Sequence, residues 1–491
     1  MKILMVASEA VPLAKTGGLA DVVGALPIEL TRLGHEVRLA LPRYAGIDPK
    51  AAGLRETATV RVPCRGDLIE VGVETGSLGG GAVPLVCLRY DPFFARAELY
   101  GEGGHDYPDN LDRFVLFCRA VLEACKETGR PPDVLHAHDW QAALAVVYLK
   151  TLYRTDPAWA KTRALFTIHN IGYQGIFPVT AYETIGLPWS EYTTDRLEYH
   201  GQVNLLKGGL VYADLLNTVS QTYAREIQTD EYGHGLEGVL QVRKERLFGV
   251  LNGIDSPTWD PTTDRHLTAH YSADDLSGKK TCKLALQKEI KLPAREVPLI
   301  GLISRLAFQK GIDLIVDILP KLLEFDVQMV ALGSGEPQYH SYLTDLRERY
   351  PNKLAVSIGF NDGLAHRIEA GADLILVPSR YEPCGLTELY SLRYGTVPIV
   401  RKTGGLADTV VPYRPDARSS ATGFSFEKPD PEVLLSTILL ALEVHRDKEE
   451  WTALMKRGMK QDFSWQRSAQ EYVKLYQRML ALNEGAPRPA D

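Results

Sequence analysis

The chain is 491 residues long, 45% hydrophobic and 24% charged, with a net charge of −7 and a pI near 6.0. That length exceeds a single hydrophobic core, so about two to four domains are expected. The acidic balance gives no global attraction to nucleic acid or to an anionic membrane, and no stretch approaches the roughly 18 apolar residues of a membrane span, so neither class of partner is expected.

The opening MKILMVASEA ends its apolar run at Ala7, before Glu9, too early for the core of a signal peptide. The six cysteines (Cys64, Cys87, Cys118, Cys125, Cys282, Cys384) form no CxxC pair and show no metal-ligand spacing. This usage fits a reducing compartment, and a cytoplasmic location is expected. Along the first half, short apolar runs bounded by turn residues alternate with helical patterns: KILMVA, EVRLALP, DVLHAH, ALFTIH and LLNTVS. The second half repeats the rhythm in PLIGLIS, VQMVALG, LAVSIGF, DLILVPS and VPIVRK. Buried runs alternating with helices indicate parallel sheets, and two series predict two sheets in an α/β protein. The turn-forming stretch LNGIDSPTWDP separates the series and predicts an N-terminal domain over 1–250 and a C-terminal domain over 251–462. A last helix over 463–482 carries Tyr472, Leu475, Tyr476 and Met479 on one stripe, able to pack locally or to cross back to the first domain. The tail over 483–491 is expected to fray.

The heptapeptide KTGGLAD occurs twice, at Lys15 to Asp21 and at Lys402 to Asp408. Thr and Gly alone suit a helix start, but capping needs neither the Lys nor the Asp. In open α/β sheets ligands bind beyond the carboxyl ends of the strands, and each copy follows a strand; two such domains facing each other would place both loops on one cleft. Paired glycines such as Gly17 and Gly18 let backbone N–H groups approach a phosphate, the helix N-terminus favours the anion, and Lys15 adds a point charge.

ISRLAFQKG puts Arg305 and Lys310 on one loop after a strand, a pair suited to a diphosphate, although two solvated surface cations would read the same way. In RYEPCGLTELYSLRYG, Glu382 stands at a strand end where it can accept sugar hydroxyls. The N–H groups of Cys384, Gly385 and Leu386 follow at a helix start, where they can meet the sugar or its phosphate. The plainer role for Glu382 is a carboxylate favoured by the helix dipole, and Cys384 reads as buried filler rather than a nucleophile. HAHDW and TIHNIGYQG place polar residues just past two further strands. His136 and His138 at i,i+2 without a further ligand make a poor metal site, and no metal is expected. LGSGEPQ has Gln338 where a dinucleotide fingerprint needs Gly, so it makes no case for NAD.

KTGGLADVVGALP, HAHDWQA, TIHNIGYQG, KGGLVYAD, ISRLAFQKG and PSRYEPCGLTELYSLRYGTVPIVRKTGGLADT, in this order from Met1 to about Tyr476, resemble the bacterial glycogen synthases and the related starch synthases. The resemblance implies two Rossmann-like domains facing across a cleft, the GT-B arrangement of glycosyltransferases. It also implies retaining transfer of glucose from ADP-glucose to the non-reducing end of an α-1,4-glucan such as glycogen, with release of ADP and no cofactor. Matched by motif, Lys15, Gly18, Arg305 and Lys310 would meet the donor phosphates, Glu382 would hold the donor glucose, and His169 would lie against the same sugar at the reacting face. Asp139 and Asn170 would line the sugar or acceptor side, Asp21 would lie near the acceptor, and Tyr100 near the nucleotide.

Fixed cations at a departing diphosphate lower the barrier and can replace a metal. No pair of carboxylates with the spacing of a retaining hydrolase is visible, which favours front-face substitution with the leaving phosphate taking the acceptor proton. The wider class of retaining transferases often carries a second Glu eight residues after the first; here that position is Tyr390, and Glu388 lies two residues earlier. The competing functions are a related transferase using UDP-glucose and a non-catalytic glucan-binding protein on the same fold.

Overall fold

The computed structural model describes residues 1–482; the tail at 483–491, expected to fray, lies outside the described residues. The chain divides into two compact units. The first comprises Met1–Val219, Ala224–Gly253 and the segment from Trp465; the second comprises Ser220–Tyr223 and Ile254–Ser464. Each apolar run singled out above lies on a strand.

The first unit is built on a nine-stranded sheet. Its order in space is Leu247–Gly249, Leu215–Thr218, Arg163–Ile168, Val134–His138, Lys2–Val6, Glu36–Pro42, Val83–Arg89, Asp67–Leu78 and Arg55–Cys64. Pairing is parallel as far as Val83–Arg89, and the last two strands add an antiparallel hairpin at the edge. The central parallel strands Val134–His138 and Leu215–Thr218 are buried end to end, and Lys2–Val6 beyond its first residue, as strands covered by helices on both faces must be. The edge strand Arg55–Cys64 instead alternates, burying Val60, Val62 and Cys64 and exposing Arg61 and Pro63, so a search for continuous apolar runs passes over it.

The helix Trp465–Leu480 belongs to the first unit and packs against the helix Gly18–Arg32 and the strand Arg163–Ile168. Tyr472, Leu475, Tyr476 and Met479 are its buried stripe.

The second unit holds a six-stranded, wholly parallel sheet ordered Leu354–Ile358, Gln328–Gly333, Leu299–Ile303, Leu374–Val377, Val397–Arg401, Phe424–Phe426. Numbered along the chain this is 3-2-1-4-5-6, the doubly wound order. Successive residues feed opposite faces: Ile300, Leu302, Met329, Leu374 and Ile399 enter one core, and Leu299, Val330, Ile375 and Val400 enter the other. Ser220–Tyr223 clusters with this unit because Ser220 Oγ donates to the Pro383 carbonyl at 2.6 Å, and Thr222 donates through N and Oγ1 to Asp408 at 2.8 and 2.6 Å.

Candidate active site

In the first sheet the chain goes from Lys2–Val6 to Glu36–Pro42 on one side and later returns to Val134–His138 on the other, so a switch point lies beyond the carboxyl ends of Lys2–Val6 and Val134–His138. The first KTGGLAD loop and Tyr100 gather there around Glu9, whose charge also reaches Asp139, and His169 follows through its hydrogen bond to Asp139. This buried carboxylate accepts the Thr16 N–H, the Thr16 hydroxyl at 2.6 Å, the Gly17 N–H at 3.3 Å and the Tyr100 hydroxyl at 2.7 Å. The Gly17 amide, assigned to a phosphate on sequence grounds, is therefore turned to an acid of its own domain. Gly17 starts the helix Gly18–Arg32 from an extended backbone, and a Cβ at Gly17 or Gly18 would meet nothing within 4 Å. Lys15 is exposed and pairs with Asp21 at 2.7 Å.

Asp139 begins the helix after Val134–His138 with φ of 54°, a left-handed conformation that is strained for a residue with a side chain. Its Oδ1 accepts the His169 N–H at 2.7 Å. Burial pushes its carboxyl up to about 8, against the pull of the backbone N–H groups of His169 and Asn170. Asn170 spends its own Oδ1 on the Gly172 N–H at 2.9 Å, shaping the turn. His169 Nε2 meets His138 Nδ1 at 3.0 Å, and the His136 ring lies 4.1 Å from that of His138. His136 Nε2 contacts Thr167 Oγ1 at 2.6 Å; because Thr167 donates onward to Asn217 Oδ1 at 2.6 Å, this His136 nitrogen carries the proton. His136 Nδ1 then accepts from the Tyr476 hydroxyl at 2.8 Å. Burial drives His136 and His169 down to about 3, so both are neutral imidazoles at physiological pH. Beside TIHNIGYQG, a cavity of about 440 Å³ is lined by Asp106, Asn110, Trp140, Tyr173, Phe177 and their neighbours.

In the second unit the doubly wound order reverses between Leu299–Ile303 and Leu374–Val377, and the loops beyond these two strands carry Arg305, Lys310 and Glu382. Lys310 Nζ donates to Glu382 Oε2 at 2.6 Å, and the Ser379 hydroxyl donates to the same oxygen at 2.8 Å. Glu382 is buried, and Arg305, exposed, donates to Gln309 Oε1 at 2.9 Å. Cys384 is buried, Gly385 takes φ of 87°, and Leu386 leads into the helix Thr387–Arg393. Burial, and then the charge of Glu382, raise Glu388 to about 8. Tyr390 stacks on Trp259 at 3.8 Å, so the side chain at the position of the second acid is committed to an aromatic stack.

The second KTGGLAD copy does different work. Its Gly405 N–H donates to the Glu382 carbonyl at 3.1 Å. A Cβ at Gly404 would stand 1.8 Å from that carbonyl oxygen, and one at Gly405 1.8 Å from the Cys384 carbonyl oxygen. Lys402 pairs with Glu427 at 3.0 Å, and Asp408 with Thr222. Here the glycines are required by backbone packing that holds Glu382, whereas in the first copy they border open space.

Glu9 and Ser379 escaped the sequence analysis. Glu9 had served only to end an apolar run, although an acid just past a buried strand is itself a signal; Ser379 lies three residues before Glu382, within the motif already quoted.

Residues 2–242 match the family model described as the starch synthase catalytic domain, and residues 286–457 match glycosyl transferases group 1. A glycogen synthase of Anaeromyxobacter dehalogenans is 48% identical over 98% of this chain and 100% of its own length. Glycogen synthase 1 of Geobacter sulfurreducens is 47% identical over 98% of this chain and 96% of its own. Among solved structures, the catalytic domain of Starch Synthase IV from Arabidopsis thaliana, bound to ADP and acarbose, superposes with a TM-score of 0.90 at 35% identity, covering 98% of this chain and 99% of that one. A sucrose-phosphate synthase from Thermosynechococcus elongatus, at 18% identity and a TM-score of 0.61, shares the fold. With both family models matched in order and relatives similar over nearly the whole length, the chain belongs to the glycogen and starch synthase family of two-domain, GT-B type glycosyltransferases.

Proposed function

We propose that this chain transfers glucose from ADP-glucose to the non-reducing end of an α-1,4-glucan with retention of configuration, releasing ADP. The observation that carries this reading is the Lys310–Glu382–Ser379 cluster at the switch point of the second sheet, with Arg305 on the adjoining loop. It joins cations for a diphosphate to a buried acid for sugar hydroxyls, and the starch synthase of the same fold was solved with ADP.

In this reading Arg305 and Lys310 stabilise the charge that develops on the departing ADP, and Glu382 holds the donor glucose. Cys384, Gly385 and Leu386 present backbone N–H groups to the sugar or its phosphate. Lys15 and Gly18 add phosphate contacts, with Lys15 exchanging Asp21 for the ligand and Gly17 setting the loop's shape over Glu9. His169, a neutral imidazole backed by His138, approaches the sugar at the reacting carbon, and Tyr100 lies toward the nucleotide. Asp21, Asp139 and Asn170 serve the sugar and acceptor, and the cavity beside Trp140 and Tyr173 offers aromatic faces and hydroxyl partners to a glucan.

Glu382 is already engaged by Lys310 and Ser379, and Glu388 is held protonated, so neither stands as a free nucleophile. This favours front-face substitution, in which the leaving phosphate takes the acceptor proton. The six cysteines are buried and, among the described residues, none is in a disulfide, which supports a reducing cytoplasm as the setting. The deciding experiment measures nucleotide release from ADP-glucose and UDP-glucose with and without glycogen. Glycogen-dependent release of ADP is expected; release of UDP alone would identify a UDP-glucose transferase, and no release from either would indicate a glucan-binding protein.

A further inference from the structure

Within the second unit, the segment after the chain's entry at Ile254 packs on the helix Asp362–Gly371 through a cluster that the reaction above does not use. His366 is almost wholly buried, at 1% exposure. Its Nδ1 lies 2.7 Å from Asp264 Oδ2, and since that oxygen also accepts the Tyr394 hydroxyl at 2.6 Å, Asp264 acts as a carboxylate and His366 Nδ1 as the donor. In the neutral ring this leaves a lone pair on Nε2, a buried nitrogen with no hydrogen-bond partner. Such an orphan is costly unless something coordinates it.

Two further donors surround that nitrogen. Asp362 sits one helical turn before His366 on the same face, with Oδ2 at 4.0 Å from Nε2, and is 59% exposed. His266 arrives from the other strand of chain, its ring 4.8 Å from that of His366. The ligand atoms of His266, Asp362 and His366 all lie within 4.8 Å of one another. One carboxylate organises both histidines, because Asp264 Oδ1 also accepts the His266 N–H at 2.8 Å. Trp259 stacks on His366 at 3.7 Å and fixes the plane of its ring. At Gly363 a Cβ would come within 3.2 Å of His266 Nδ1, so glycine leaves room for that ring. Of the neighbouring cations, Arg367 is held away by Glu289 through two contacts of 2.7 Å, and exposed Arg265 reaches His266 Nε2 only at 3.5 Å.

We infer that His266, Asp362 and His366 form a binding site for a divalent transition-metal ion of the zinc class, which staples the segment around Asp264 to the helix Asp362–Gly371. Two imidazoles and one carboxylate are a borderline-soft donor set that favours zinc over magnesium or calcium. A histidine ligand whose second nitrogen donates to a buried carboxylate is the usual outer-shell arrangement of such sites. Bonds of about 2.0–2.2 Å in a tetrahedron put ligand atoms roughly 3.3–3.6 Å apart. Closing to that spacing needs movement only of exposed Asp362 and half-buried His266, with His366 as the fixed member. The exposed side leaves the fourth position to water.

The test uses the full chain, stripped of metal and then dialysed against zinc, with metal content, melting temperature and the visible spectrum of the cobalt-loaded protein as readouts. One zinc per chain, a raised melting temperature and cobalt bands characteristic of imidazole ligation are expected. His266→Ala and Asp362→Ala alter accessible side chains and should keep the fold by circular dichroism while each weakens binding tenfold or more. Asp264→Asn should weaken it by about 10–100-fold, because the carboxylate that orients the His366 ring is lost. Absence of stoichiometric zinc in the wild type, or binding that survives both His266→Ala and Asp362→Ala, would overturn the assignment.

Discussion

At the scale of single residues, the two copies of one heptapeptide show that identical side chains acquire different roles from what surrounds them. Lys15 lies on a loop whose glycines face open space, while Lys402 is tied to Glu427 beside glycines locked against the backbone of Glu382 and Cys384. Lys15→Ala should raise the KM for ADP-glucose or depress kcat about tenfold or more, the loss of one charge-assisted phosphate contact of roughly 1.5–3 kcal/mol. Lys402→Ala should do much less; equal large losses from both, in folded proteins, would refute the asymmetry. Glu382→Ala should remove most of kcat while the fold survives, because a sugar contact that tightens in the transition state acts on the chemical step. Near-normal kcat in that variant would take Glu382 out of the reaction.

At the scale of elements, two helix starts and one buried acid can be probed separately. In the helix Gly404–Thr409, Gly404→Ala and Gly405→Ala would each drive a methyl to 1.8 Å from a carbonyl oxygen of the Glu382–Cys384 segment. Each is expected to cost about 1–3 kcal/mol in a denaturant titration, with a fall in kcat as Glu382 is displaced. Gly17→Ala, with nothing within 4 Å, should leave the unfolding midpoint unchanged. In the helix Thr387–Arg393, Glu388 is raised to about 8 by burial and then by the charge of Glu382. Its folded form thus holds a proton that the unfolded chain releases at the ordinary glutamate value of 4.5. The stability it contributes is complete below that pH and is lost as pH rises toward 8. Over that window the slope is at most about 1.4 kcal/mol per pH unit for one proton. Glu388→Gln keeps the shape without the ionisation, so urea midpoints should fall less from about pH 6 to about pH 8 than in the wild type. Parallel slopes would show that Glu388 is already ionised in the native protein.

At the scale of the whole molecule, the proposed catalysis and the proposed metal staple are separable, since none of His266, Asp362 and His366 belongs to the proposed donor-binding residues. Turnover should survive EDTA at the assay temperature, because in the proposed mechanism Arg305 and Lys310 supply the positive potential that a magnesium ion supplies to many nucleotide-dependent transferases. Loss of turnover on chelation, restored by added metal, would contradict this.

The α/β class and the ten buried strands were legible in the sequence because each is a local apolar run, readable without knowing its neighbours. The motif residues were legible for a related reason: Glu382, Arg305, Lys310 and Asp139 each follow such a run within a few positions, where an open sheet places its ligands. The edge hairpin was not, since exposed residues interrupt both of its strands and break the apolar run. Nor were the partners of the site. Glu9 under the Thr16–Gly17 loop, Tyr476 on His136, and Asp264 on His366 join positions from 7 to 340 residues apart. Such pairings are decided by strand order and packing rather than by spacing along the chain. Local apolar runs set which groups stand at the strand ends, but which carboxylate each of them meets depends on strand order and packing across the fold, and so does the reason that one KTGGLAD borders open space while the other holds the backbone of Glu382.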